Sequence, residues 1–276
     1  MKKLSRPARV RPPASRSVGL LSPSLTAGAG PYTLVTCDAG EMWFNRADEV
    51  IRPYVERAGT WEPEEGRLLL DLATPETRFL DVGANVGYFT VLLSRHRSGI
   101  QIDAVEPEPG NVSLLQMNLW HNQVDARVWP MALSGGERSL PLAFSEHNAG
   151  DTRTNAARPK QWYDVVAAAA RGDDLFPGRG FDLIKLDVQG FELDVLQGMP
   201  LTLDRSPGVV VVAEFWPAAL RGRNMDPASV LQAYREMGFE MVTQVDDDLR
   251  RLEDPEIIAV CDDSGEWGQV NLVLRR

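Results

Sequence analysis

The run FLDVGANVGYFTVLL, residues 79–93, constrains this chain more than any other segment. An apolar stretch passes through Asp81 into glycines at 83 and 87, and no glycine or proline then interrupts it until Gly99. Glycine is needed where φ is positive or where backbone must pass close to another group without a Cβ in the way. The pattern therefore predicts a strand, a tight turn with a ligand close to it, and a helix. From residue 79 onward, short apolar runs alternate with segments of helical period, the sequence form of repeated βαβ units on a parallel sheet. Strands are expected at residues 78–82, 101–105, 126–131, 181–187 and 209–214. Two more, 239–245 and 270–274, read as an antiparallel pair closing the sheet edge, joined by an acidic, turn-rich link at 246–268.

Helix ends are readable too. Asp226-Pro227 supplies an N-cap and a first-turn proline, Val230, Leu231, Tyr234 and Met237 recur at helical spacing, and Gly238 stands where a left-handed residue ends a helix. Upstream, residues 31–78 mix aromatics with charges and end in a helical stretch at 64–73, read as a cap segment on the main domain at 79–276. Residues 1–37 carry six basic side chains and no acidic one, and residues 1–30 with their prolines read as a disordered basic tail.

The net charge is −10, so the rest of the chain carries −16. A body that acidic repels phosphate backbones, which argues against nucleic acid as a substrate. No stretch approaches the ~20 apolar residues of a membrane span, and residues 18–25 are too broken for a signal peptide or an anchor. A cytoplasmic protein is expected. Cys37 and Cys261 are too few for a disulfide framework or a cysteine-based zinc site.

The turn departs from the dinucleotide pattern G-x-G-x-x-G, because Asn85 stands at the second glycine position and no glycine stands at 88. Asp81 at the strand end suits a cationic ligand better than a pyrophosphate. S-adenosylmethionine, with its ammonium and sulfonium, is therefore favoured over NAD(P). Glu106, closing the run QIDAVEPEP 25 residues on, is placed to accept hydrogen bonds from ribose hydroxyls. The plainer reading is that Asp81 and Glu106 only cap helices and that the glycines only make a turn.

A third motif, IKLDVQGFELDVL, ends a strand at Asp187 and turns at Gly190. Ligands of open parallel sheets bind beyond these carboxyl ends, which puts Asp187 beside a transferable methyl. Lys185 and Glu192 flank it, as an ion pair or with a direct part in the chemistry for either. Glu214 ends the next strand, VVVVAEFWP.

FLDVGANVGYFT, AVEPEP, IKLDVQGFELDVLQGM and VVVVAEFWP together resemble the FkbM family of S-adenosylmethionine-dependent methyltransferases, over residues 48–276. The resemblance implies a Rossmann-like class I methyltransferase fold. Its sheet would be seven-stranded, five parallel strands plus a terminal antiparallel pair, with helices on both faces. It also implies O-methylation of a sugar or secondary metabolite. Family patterns commonly have Glu where this chain has Gln189. The cofactor set expected is Asp81, Gly83, Asn85, Gly87, Tyr88, Glu106, Pro107 and Asp187, with Glu62 in the segment that closes over the methionine end.

Methyl transfer from a sulfonium is an in-line displacement, so positioning carries much of the catalysis. A hydroxyl acceptor still needs a base or a metal to take its proton. Asp187 is the first candidate, as base or, with Glu214, as a ligand to Mg²⁺. Lys185 and His147 are further catalytic candidates, His147 lying in the polar loop FSEHNAGDTRT after a hairpin expected at 129–144. His96 and His121 sit near predicted helix ends, where a cation suits the dipole. The expected partner is a small-molecule acceptor, and a homo-oligomer is compatible with it. The competing functions are an NAD(P) oxidoreductase and a non-catalytic, cofactor-binding partner subunit.

Overall fold

The computed structural model describes residues 30–145, 152–153 and 162–276. Residues 31–276 form one compact unit. In chain order, a hairpin of β1 (Tyr32–Cys37) and β2 (Gly40–Asn45) leads to helices α1 (Ile51–Ala58) and α2 (Pro63–Leu72). Then follow β3 (Arg78–Val82), α3 (Tyr88–His96), β4 (Gln101–Val105), α4 (Pro109–His121) and β5 (Ala126–Trp129). The short strands β6 (Ala132–Leu133), β7 (Ser139–Ser145) and β8 (Thr152–Arg153) come next, followed by β9 (Trp162–Ala170) and α5 (Gly172–Leu175). The second half contributes β10 (Leu183–Leu186), α6 (Glu192–Gln197), α7 (Pro200–Asp204), β11 (Val210–Phe215), α8 (Pro217–Gly222) and α9 (Pro227–Glu236). It closes with β12 (Glu240–Val245), β13 (Asp248–Arg250), α10 (Asp254–Asp263) and β14 (Val270–Arg275).

The main sheet has the order β13-β12-β14-β11-β10-β3-β4-β5. β5, β4, β3, β10 and β11 run parallel, and β14 runs antiparallel to both of its neighbours, β11 and β12, which is the Rossmann-like arrangement expected. The sheet has eight strands rather than seven, because residues 248–250 pair back on β12. The link expected at 246–268 also holds α10. Its start is fixed by a capping box between Glu253 and Glu256, and Ile257 and Cys261 are buried on one face. The hairpin expected at 129–144 is instead β7 against β9, part of a separate sheet of order β6-β9-β7-β8. No helix among the described residues is long and apolar enough to cross a membrane.

Chain progression runs outward from β3 to β5 and then resumes at β10, on the other side of β3. Such a reversal leaves a crevice at the strand carboxyl ends. Leu80, Val82, Ile184 and Leu186 pack into one core with α6 and α9, and Phe79, Leu183, Val212 and Val273 into the other with α2, α3 and the β1–β2 hairpin. Strand alternation then puts Asp81, Lys185 and Glu214 on the face of Phe79, Leu183 and Val212. Register brings Lys185 opposite Asp81 and opposite Val212, and Glu214 opposite Asn271. The segment expected as a cap thus shares its core with the sheet, burying Met42, Phe44, Val55 and Leu69 against it.

Candidate active site

The turn after β3 takes positive φ at Gly83 (81°), Asn85 (52°) and Gly87 (87°). A Cβ on Gly83 would collide with the carbonyl oxygen of Asp187, and one on Gly87 with Leu115 Cδ1. The glycines therefore let this turn lie against the β10–α6 loop and α4. Backbone N–H groups of Gly83 and Ala84 donate to the Val105 carbonyl at 2.9 and 3.0 Å. The N–H of Asn85 donates to Glu106 Oε2 at 2.9 Å, and that of Glu108 to Glu106 Oε1 at 2.8 Å. Burial pushes the Glu106 carboxyl up to about 7, against the pull of those two N–H groups. Asn111 adds a side-chain hydrogen bond to the same carboxyl.

Gly83, Asn85, Glu106, Pro107 and Asp187 line an open cleft of about 690 Å³. Its remaining wall includes Val105, Met131, Leu133, Leu142 and Phe191, with Gln189 beside Asp187. The strands that bring Leu133 and Leu142 there belong to the second sheet, which local pattern does not place. Apolar alternation in SLPLAFS is the one signal that could have suggested it.

A second cavity, of about 490 Å³, is lined by Glu62, Glu64, Glu65, Asp187, Glu214, Gln269, Val270 and Asn271. Asp187 is the one residue that the two linings share. Lys185 Nζ donates to Asp187 Oδ2 at 3.0 Å, lies 4.0 Å from Glu65 Oε2, and sits 4.9 Å from the centre of the Phe89 ring. Burial works against its charge, but Asp187, Glu65, Asp81 and Glu62 hold its pKa above that of an ordinary lysine. Lys185 is therefore held as a cation against Asp187. It does not pair with Glu192, whose Oε1 instead accepts the N–H groups of Val188 and Gly190, both at 3.1 Å, and shapes the loop after Asp187.

Burial, followed by Glu65 and Asp187, drives Glu62 well above the usual carboxylate range, and Glu62 shares a hydrogen bond with Glu65. Burial, then Asp187 and Glu192, does the same to Glu214. Glu65 contributes to the cavity although its sequence context, inside a helix, marks nothing. Only its spacing of three from Glu62 places it on the same side.

Of the expected cofactor residues, Glu62 lines only the second cavity, and Asp81, Gly87 and Tyr88 line neither, Gly87 facing Leu115 instead. Asp81 is buried beneath the turn, accepting from Thr90 Oγ1 at 2.6 Å, with its Oδ1 without a partner. The Tyr88 hydroxyl donates to Asp38 and accepts the Trp61 N–H at 2.9 Å. Tyr88 thereby ties the segment that presents Glu62, which holds the left-handed φ of 42°. His147 lies outside the described residues. His96 and His121 end α3 and α4, away from both cavities. The Mg²⁺ reading does not fit the residues present. Asp187 and Glu214 line the same cavity, but among the described residues no three His, Cys, Asp or Glu side chains are grouped closely enough to hold a metal ion.

Two curated proteins align over part of the chain. Methyltransferase 1 of Beauveria bassiana is 28% identical over 148 residues, 45% of this chain and 59% of its own length. Methyltransferase sdnD of Sordaria araneosa is 27% identical over 182 residues, 53% of this chain and 70% of its own. The match thus spans less than two thirds of the first relative. Among solved structures, an O-methyltransferase from Bacillus cereus in complex with SAH aligns at TM-score 0.43 and 15% identity, over 84% of this chain and 90% of that one. P. horikoshii TYW2 in complex with MeSAdo aligns at 0.45 and 13%, over 90% and 71%. The profile of the Methyltransferase FkbM domain matches residues 81–241, from the strand-end aspartate into β12 and over more than half of the chain. The chain belongs to the FkbM methyltransferase family.

Proposed function

We propose that the protein transfers a methyl group from S-adenosylmethionine to a hydroxyl of a small molecule, such as a sugar or a secondary metabolite. The carrying observation is that two cavities of different chemistry share Asp187: one with a strand-end carboxylate and an apolar slot, the other almost wholly acidic and amide-lined. The first suits an adenosine, with Glu106 accepting from vicinal hydroxyls and Val105, Met131, Leu133 and Leu142 flanking the base. When bound, S-adenosylmethionine supplies a methyl group on a sulfonium.

The chain's own residues then position and deprotonate the acceptor. Asp187, held by Lys185, takes the hydroxyl proton, and an in-line displacement asks that the acceptor oxygen be held on the side opposite the leaving sulfur. Calorimetry tests the cofactor assignment. S-adenosylhomocysteine should bind the purified chain, and Glu106→Ala should weaken it by about ten-fold or more, the worth of a charge-assisted hydrogen bond. Absence of binding by folded protein would sink the reading.

A further inference from the structure

We infer that Arg223, which does not line the cleft, is a positioning residue for the cofactor: its guanidinium fixes the Phe191 ring as the wall on which the adenine stacks. This rests on the methyl-transfer reading, which seats the base among the apolar residues of the cleft, and names what holds one side of that seat.

Phe191 directly precedes α6 and lines the cleft with Met131, Leu133, Leu140 and Leu142. It is the one aromatic side chain that the described residues put there. Arg223 stands immediately after α8, with its Cζ 3.6 Å from the centre of the Phe191 ring. That is stacking distance; the other cation–ring pairs among the described residues stand 4.9 to 5.6 Å apart. A guanidinium is flat, so at this separation it covers one face of the ring and leaves the opposite face and the edge to the cleft.

The same guanidinium ties down the chain on either side of the ring. Nη1 donates to the Gly190 carbonyl, and Nη1 and Nη2 donate to Asp194 Oδ2 and Oδ1 at 2.9 and 3.2 Å. The Gly190 N–H already donates to Glu192, so both backbone groups of the residue before Phe191 are fixed. Gly190 has a φ of 95°, and a Cβ there would press on Cβ of Ala219 in α8 at 3.3 Å, so the glycine lets α8 and Arg223 approach the loop. The Arg223 and Asp194 side chains are 18% and 30% exposed, and an ion pair that wet contributes little by itself. One planar fork serves a ring, a carbonyl and a carboxylate at once, which a lysine cannot do. A base entering the cleft then meets a wall already in place, which spares the entropy of ordering it.

Calorimetry on the full chain with S-adenosylhomocysteine, run as a double-mutant cycle, tests this. Phe191→Leu should weaken binding about three- to ten-fold and Arg223→Gln about two- to five-fold. Arg223→Gln added to Phe191→Leu should weaken it no further, because the arginine acts through the ring. Arg223→Lys keeps the charge without the flat fork and should lose most of what Arg223→Gln loses. It stands in for Arg223→Gln if that variant does not fold, as Phe191→Met does for Phe191→Leu. Each variant should lose the same factor with 5′-methylthioadenosine, which keeps the base and lacks the amino-acid end, whereas a loop displaced as a whole, Asp187 included, would affect the two ligands unequally. Full affinity in the Phe191 or the Arg223 variants, additive losses in the double variant, or unequal factors for the two ligands overturns the inference while the parent still binds S-adenosylhomocysteine. If the parent does not bind it, the methyl-transfer reading falls and this one with it.

Discussion

Asp187 stands where both cavities meet, one hydrogen bond from a buried ammonium, and a single-atom change there separates binding from chemistry. Asp187→Asn keeps the shape of the wall but cannot take a proton. Turnover should fall by about 10²–10⁴-fold with S-adenosylhomocysteine affinity within a few fold; normal turnover of the variant would remove Asp187 as base. At this scale the sequence was legible where a motif ended a strand. Glu106, Asp187 and Glu214 all reach a cavity, because parallel strands deliver their last residues to one edge. It misled where proximity to a motif stood in for direction. Asp81 and Tyr88 adjoin the glycines, yet one points beneath the turn and the other toward the hairpin. Lys185 and Glu192 look like partners in sequence, and strand alternation sends Lys185 toward Asp81 instead.

Element by element, the parallel strands were legible because short apolar runs alternated with segments of helical period. α9 was legible because its N-cap is explicit, with Asp226 accepting the Ser229 N–H at 3.2 Å. α10 was hidden by its acidic flanks, although Glu253 and Glu256 form the box that starts it. The second sheet was illegible because β6 and β9 pair across more than thirty residues, beyond any local signal. The Tyr88 hydroxyl of α3 bonds both to the hairpin and to the segment before α2. Tyr88→Phe leaves Asp38 and the Trp61 N–H without that partner. It should cost about 1–3 kcal/mol in denaturant unfolding, with faster hydrogen exchange at the Trp61 amide. An unchanged exchange rate there would show that the segment is held by other means.

Over the whole molecule, burying acid makes stability depend on pH. Glu192 is held up to about 7 from an ordinary 4.5, chiefly by burial. The folded state therefore binds its proton more tightly than the unfolded chain does. The associated stability is full below about 4.5 and is lost as pH rises through about 7. Glu192→Gln retains an acceptor for the Val188 and Gly190 N–H groups and has no charge to bury. Its stability relative to the parent should be similar at pH 4.5 and should rise to a plateau above pH 7, with a ceiling of about 3 kcal/mol. Denaturant midpoints between pH 4.5 and 8 measure this, and a flat difference would place the pH dependence elsewhere. The same order of strands sets a schedule for synthesis. β14 lies between β11 and β12, so during translation β11 emerges with a bare edge and the β12–β13 hairpin has no seat in the sheet until residues 270–275 leave the ribosome. The nascent chain must keep two strand edges from pairing with neighbours for the time it takes to make some sixty residues, and a ribosome stalled before 270 releases a species primed to aggregate.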